Sequence, residues 1–325
     1  MNFSKIMYML IIMTSSMIVI NSNNWLSMWM GLEINLMAFI PMISENNNKK
    51  VSQSMMMYFL TQSIGSMILM FSMLMMPFMK VSPTIMNSFM MMANTSLLMK
   101  MGAAPYHNWL PEMCNNLNWN KILILMTWQK LAPLHMLSNM KFTHMFYISI
   151  MLSSMIGAIG GMNCTSLRKI MAYSSINHLS WMLFLMSNKS QWFKYLMIYS
   201  IIMIMMTMFM NKYNVYNINQ LMNNMPSMLE KFTYSIMMLS IGGLPPFLGF
   251  LPKWMTIQSN PSLTLLLLMM IMMSTITLFY YMRMISAMFL LYSTTNKWFK
   301  TYNFNSYLMF INLTLPAASI WFNNY

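Results

Sequence analysis

Lys100, Lys130 and Lys253 each stand inside a long apolar stretch of the chain. A cation at bilayer depth costs roughly 3 kcal/mol on insertion scales, so three together oppose insertion by on the order of 10 kcal/mol, and such residues mark ion or proton pathways. An ammonium in a low-dielectric site is disfavoured relative to the neutral amine, so a buried lysine can release its proton near neutral pH, and a neighbouring carboxylate reverses that effect. Glu33 supplies a carboxylate in the second apolar stretch. A Glu33 to Lys100 pair that opens and closes would switch the proton affinity of Lys100 and send a proton on through Lys130 to Lys253. Arginine keeps its proton at any workable pH, so Arg283 reads as a fixed counter-charge or a tie to lipid or a partner. An imidazole suits a proton relay, which is the reading for His178 and His107, although His107 can equally hydrogen-bond freed backbone. Glu112 reads as a loop or cap residue, and His135 and His144 as interfacial or structural.

The elements that must position these groups are apolar. Hydrophobic residues make up 58% of the 325 positions and charged residues 7%, against about 25% charged in soluble domains, which excludes a water-soluble fold. Runs near the ~20 residues that cross a bilayer predict an all-α polytopic membrane protein with about eleven transmembrane helices. The first five run Ile6 to Ile20, Trp25 to Met42, Met55 to Met76, Thr84 to Ala104 and Lys121 to Met140. Five more run Phe146 to Met162, Ile170 to Ser187, Phe193 to Met210, Phe232 to Gln258 and Leu263 to Leu291, with a last helix near Tyr307 to Phe322. Met1 to Ser22 has the length of a signal peptide but no small-residue cleavage site, and Trp25 begins another span, so it reads as a first helix. No connection is long enough for a soluble domain, which leaves one membrane domain over residues 1–325.

Two spans are interrupted beside their lysines. Lys100-Met-Gly-Ala-Ala-Pro105 breaks the fourth, and Gly242, Gly243, Pro245, Pro246 and Pro252 break the ninth. Proline removes a backbone donor and clashes with the preceding turn, and backbone freed at membrane depth survives only where protein or water satisfies it. Taking residues 1–140 and 146–291 as two five-helix copies puts a break in the fourth helix of each, with a C-terminal helix at 305–325. An odd number of spans per copy inverts the second relative to the first, an arrangement whose working site lies at the discontinuous helices. Charge follows the same pattern, with Glu33 and His178 in the second helices and Lys130 and Arg283 in the fifth.

The remaining composition narrows the function classes. A net charge of +14 is scattered singly or in pairs between spans, which is not the one-faced patch of a nucleic-acid binder. Ten basic residues on the side of the N-terminus and of the connections after even-numbered spans, against four on the other, give a positive-inside bias that places the N-terminus inside and the C-terminus outside. Cys114 and Cys164 have no metal-ligand or disulfide spacing. The 55 methionines, without clustered His or Cys, are packing and lipid-facing residues. With abundant Ile and Asn they point to an AT-rich gene read with a code generous in Met, as in animal mitochondria. Gly157-x-x-x-Gly161 reads as close helix packing.

Five segments carry a resemblance: Trp29-Met-Gly-Leu-Glu33-Ile-Asn, Lys100-Met-Gly-Ala-Ala-Pro-Tyr-His107, Trp128-Gln-Lys130-Leu-Ala-Pro, Arg168-Lys-Ile-Met-Ala-Tyr-Ser-Ser-Ile-Asn-His178 and Gly242-Gly-Leu-Pro-Pro-Phe-Leu-Gly-Phe-Leu-Pro-Lys-Trp254. In order and from about Trp25 to Arg283, they resemble the subunit 2 family of mitochondrial NADH dehydrogenase, antiporter-like membrane subunits of respiratory complex I. The chain departs from the family around Tyr106 and Asn108, where phenylalanine is common, and in the Asn115-Asn116 loop. The resemblance implies eleven helices in the mitochondrial inner membrane, with the N-terminus in the matrix and the C-terminus in the intermembrane space. It also implies that Glu33, Lys100, Lys130 and Lys253 line a buried axis for protons. Partners would be other complex I subunits and lipids such as cardiolipin, with no nucleic acid. No cofactor is expected in this chain, since FMN, the iron–sulfur clusters and ubiquinone belong elsewhere in the complex. Two other functions fit parts of the pattern. A stand-alone cation/proton antiporter would share the buried charges, but the chain holds no Asp to bind Na⁺. A non-pumping scaffold would keep the ion pairs as relics.

Overall fold

The computed structural model describes residues 3–44, 48–77, 83–186, 191–224, 228–259 and 263–290, and the C-terminal helix expected near Tyr307 lies outside them. The described residues are helical apart from connections and one isolated antiparallel bridge between Ser166 and Asn217. The chain divides into two compact units, Met1–Ser153 and Ser154–Tyr325.

The first unit contains α1 (Phe3–Asn21), α2 (Trp25–Ile43), α3 (Lys49–Met75), α4 (Pro83–Met101), α5 (Trp109–Asn116), α6 (Trp119–Met126) and α7 (Trp128–Ser138), and α8 (His144–Met162) crosses into the second. The second unit continues with α9 (Leu167–Leu185), α10 (Gln191–Tyr213), α11 (Ile218–Asn224), α12 (Met228–Gly242), α13 (Phe250–Ser259) and α14 (Thr264–Leu290). Six of these, α1, α2, α3, α8, α10 and α14, are long and apolar enough to cross a membrane individually. Their sequences are rich in Met, Leu and Ile, and their serines fold back onto carbonyls one turn earlier, as Ser15 does to Ile12 at 2.9 Å. That back-bonding satisfies a hydroxyl without help from outside the helix.

Close approach of helices is bought by small residues. A Cβ at Gly31 would meet Val19 Cγ2 at 2.6 Å, which locks α2 onto α1, and one at Gly157 would meet the Asn177 nitrogen at 2.7 Å, which does the same for α8 and α9. Methionines divide between two environments: Met37 and Met67 face outward, while Met101, Met126 and Met136 are fully packed inside. Outward apolar side chains on long helices suit a hydrocarbon solvent.

Both expected breaks are present, with the same backbone. Gly102 (φ +72°) and Gly243 (φ +79°) take the left-handed conformation that glycine adopts without steric cost. Beyond each, an N–H reaches back five residues, Ala103 to the Leu98 carbonyl at 3.0 Å and Leu244 to the Leu239 carbonyl at 3.3 Å. This is the long bond of a Schellman ending. At matching offsets from the glycine come Pro105 and Pro246, then Trp109-Leu110-Pro111 and Phe250-Leu251-Pro252 opening α5 and α13. The lysines do not match: Lys100 precedes its glycine on α4, whereas Lys253 follows on α13, where the first break carries Glu112. A third interruption, at Thr127 between α6 and α7, divides the expected fifth span just before Lys130.

Candidate functional site

In the first unit the break delivers Lys100 to the interior. Three carbonyls at the end of α4 lack helical partners, and each is satisfied by protein: Leu98 by the Ala103 N–H, Met99 by the Trp109 indole at 3.2 Å, and Lys100 by the Gln62 amide at 3.0 Å. Gln62 takes the Lys100 carbonyl, and the Lys100 ammonium does not turn back onto this end of the helix. Its alkyl chain instead crosses Gly65 of α3, where a Cβ would stand 3.0 Å from Lys100 Cγ. Lys100 is 5% exposed and Lys130 2% exposed, so neither reaches out to a membrane surface.

Both lysines line one cavity of about 20 Å³, together with Asn35, Tyr58, Gln62 and Gln129 and an apolar wall that includes Leu32, Leu36 and Trp109. That volume holds a single water molecule, and the polar lining offers the two to four partners a buried water requires. Asn35 and Gln129 exchange amide hydrogen bonds at 2.9 and 3.0 Å across α2 and α7, and the Tyr58 hydroxyl reaches Gln129 Oε1 at 3.4 Å. Glu33, half-buried on α2, acts on Lys100 electrostatically, and its Oε1 is buried without a hydrogen-bond partner.

Truncating Gln129 to Leu is expected to destabilise the first unit by about 1–3 kcal/mol, because the Asn35 amide loses its buried partner. Pairing it with Asn35→Leu should recover part of the loss, since the two side chains are coupled. The measurement is thermal stability of the assembled protein for both singles and the double.

In the second unit Lys253, 7% exposed, turns back onto its own break. Its ammonium donates to the Gly242 carbonyl at 2.6 Å, the carbonyl that the break leaves open, and stands 6.0 Å from the centre of the Trp181 ring. Trp181 lies on α9 three residues beyond His178, whose Nδ1 is 2.8 Å from the Tyr195 hydroxyl and whose ring is 4.9 Å from that of Tyr199. The cation is thus held by a backbone dipole and an aromatic face, both favourable for a desolvated ammonium.

The other expected residues fall outside these centres. His107 sits in the break, partly exposed, with Nδ1 3.2 Å from the Pro105 carbonyl, which is the backbone-bonding alternative. Arg283 is exposed near the end of α14 and donates to the carbonyls of Met162 and Cys164, so it ties α14 to the end of α8. Lys130 and Arg283 therefore differ in burial and in partners. Glu112 is exposed on α5. Asn35, Gln62, Gln129 and Tyr58 join the site without being expected from the sequence. Asn35 and Gln129 stand in the quoted segments beside Glu33 and Lys130, and the signal that would have found them is an amide inside a span. Lys121, at the start of the expected fifth span, is buried and caps α2 through the Ile43 carbonyl at 2.5 Å. Among the described residues no three His, Cys, Asp or Glu side chains come together as a metal-ligating group.

Comparison with known proteins converges on one family. The profile described as NADH:quinone oxidoreductase/Mrp antiporter, TM, matches residues 22–279. NADH-ubiquinone oxidoreductase chain 2 of Anopheles gambiae is 41% identical over 98% of this chain and 95% of its own length. The protein of the same name from Aedes aegypti is 42% identical with the same coverage. Among solved structures, a chain of respiratory complex I from Thermus thermophilus superposes with a TM-score of 0.81 at 17% identity, covering 88% of this chain and 71% of that one. A chain of the Mrp complex from a Dietzia species gives 0.77 at 12% identity, covering 89% and 61%. At those identities the superpositions speak for the fold. The long, near-complete matches speak for descent, and the chain belongs to the NADH-ubiquinone oxidoreductase chain 2 family, within the NADH:quinone oxidoreductase/Mrp antiporter membrane proteins.

Proposed function

We propose that Glu33, Lys100 and Lys130 in the first unit, and His178 and Lys253 in the second, are the groups that bind and release protons in this subunit. The chain is a membrane-arm subunit of the proton-pumping NADH:ubiquinone oxidoreductase. The observation that carries the proposal is the one-water cavity shared by the buried Lys100 and Lys130. A water there accepts a proton from one amine nitrogen and donates to the other, with the Asn35–Gln129 pair fixing its orientation. Glu33 sets which end holds the charge: near Lys100 it stabilises the ammonium, and on leaving it favours transfer toward Lys130.

Around this chemistry we read about eleven membrane crossings in two inverted five-helix repeats, with the N-terminus in the matrix. The matching Schellman endings of α4 and α12 and the positive-inside bias support that reading. Lys80, Lys189, Lys297 and Lys300 of that bias lie outside the described residues. Oxidation of NADH and reduction of quinone, with the FMN and iron–sulfur clusters they use, belong to other subunits in this reading. The neighbours are complex I subunits, and lipids such as cardiolipin cover the apolar faces.

Glu33→Gln in the assembled complex tests the switch. Proton uptake into vesicles per NADH oxidised should fall about tenfold, a loss of the order of 1.4 kcal/mol in coupling, and the remaining flux should be the same in Na⁺-free medium. Unchanged flux would remove Glu33 from the mechanism. Flux that requires Na⁺ would favour the cation/proton antiporter.

A further inference from the structure

We propose that the second unit contains a proton access pathway from the α8–α9 connection to Lys253, built from the hydroxyls of Tyr280, Tyr281 and Ser174 and the imidazole of His178. The proposal rests on the reading that Lys253 handles protons.

Its outer end is the connection between α8 and α9, where Arg283 holds the Met162 and Cys164 carbonyls. The Tyr280 ring lies against Gly161 at that end, and a Cβ there would meet Tyr280 Cε1 at 2.8 Å, so any larger residue would close the space the ring occupies. Tyr281 follows, its ring 4.6 Å from that of Tyr280. The Tyr281 hydroxyl lies beside those of Tyr280 and Ser174, yet neither tyrosine oxygen meets a partner at good hydrogen-bonding geometry. The inner end is close by: the Tyr281 ring also packs on Gly242, 3.4 Å from its Cβ position, and the Gly242 carbonyl accepts the Lys253 ammonium. Along α9, Ser174, His178 and Trp181 follow at helical spacing on one face, and Trp181 stands beside Lys253.

Two physical facts turn this juxtaposition into a pathway. Tyr280 and Tyr281 are each 1% exposed, as is Trp181, whose indole nitrogen is likewise buried without a partner. Each unsatisfied polar group at membrane depth costs several kcal/mol, so three of them in one unit mark a place that water enters. Hydroxyl groups both donate and accept. A proton reaching the Tyr280 oxygen forms a new O–H bond as the original O–H proton passes to Tyr281, then by way of Ser174 and water to His178 and the Lys253 amine. Only O–H and N–H bonds change, no electron is transferred, and each hydroxyl ends neutral.

The test uses the assembled complex in vesicles with Tyr280→Phe, Tyr281→Phe, Ser174→Ala and Lys253→Met introduced singly. NADH-driven proton flux should fall about tenfold in the hydroxyl-deleting variants. That is less than the 10²–10⁴ that a positioned proton-transfer group contributes, because water partly fills the vacated space. Their solvent deuterium effect should also exceed that of the unmodified complex, which a purely packing role would not produce. Normal flux in all three, with flux lost in Lys253→Met, overturns the pathway and leaves the lysine reading standing. Normal flux in Lys253→Met removes the lysine reading and the pathway with it. Failure of all three hydroxyl variants to assemble assigns these side chains to packing and also overturns the pathway.

Discussion

Complex I carrying Lys130→Met in this subunit is expected to assemble normally and to pump no protons through it, and Lys253→Met should behave alike. Methionine has nearly the length of lysine without its charge, and replacing a buried ion by an apolar residue of similar volume is often neutral or stabilising. Removing a cation also lifts the roughly 3 kcal/mol insertion cost carried by each lysine. What is lost is the only kind of group at either position that can hold a proton: the cavity between Lys100 and Lys130 would keep its amides, but amides bind protons too weakly to take the charge. Coupled NADH oxidation should fall with pumping, and native electrophoresis should show unchanged complex. Normal proton yield in either variant sinks the relay, while loss of assembly with normal yield in the surviving complex returns the subunit to a scaffold.

Gly243→Val is expected to be nearly as severe, by a different route. The backbone there is left-handed, at φ +79°, which costs a non-glycine residue about 1–2 kcal/mol and a β-branched one more. The new Cβ would also fall 2.9 Å from Lys253 Cδ and Nζ. The Lys253 side chain has to shift to clear it, which weakens the ammonium's bond to the Gly242 carbonyl. Pumping should drop by at least about tenfold, the equivalent of 1.4 kcal/mol, with lower thermal stability. Gly102→Val is the comparison, because φ is +72° and the new Cβ meets Leu110 Cδ1 at 2.9 Å rather than a lysine. It should lose stability with a smaller effect on pumping per assembled complex.

The helices of the long apolar runs were legible because bilayer thickness fixes their length, and the two breaks because glycine and proline act on the backbone locally. Buried lysines declare themselves by cost. What the sequence did not disclose is relational. Asn35 and Gln129 are ordinary polar residues until α2 and α7 bring them to 2.9 Å. Nothing at Thr127 marks an interruption, since no glycine or proline adjoins it. Arg283 looked like a counterpart of Lys130 by span number, yet its partners are two carbonyls at the end of α8, a placement no spacing rule contains.

The turns that close α4 and α12 share a left-handed glycine, the same long N–H bond and the same aromatic-Leu-Pro opening of the next helix, while charge changes sides around them. If the halves descend from one ancestral segment, the heritable part is the gap in the hydrogen-bond ladder, and the ionisable side chain is a later tenant. The gap after α12 holds the Lys253 ammonium on its carbonyl, while the one after α4 has its carbonyls met by Gln62, Trp109 and backbone and leaves Lys100 to the cavity, with no change in backbone. Evolution of this machine could then relocate its charge by point substitution, without rebuilding the helix that carries it.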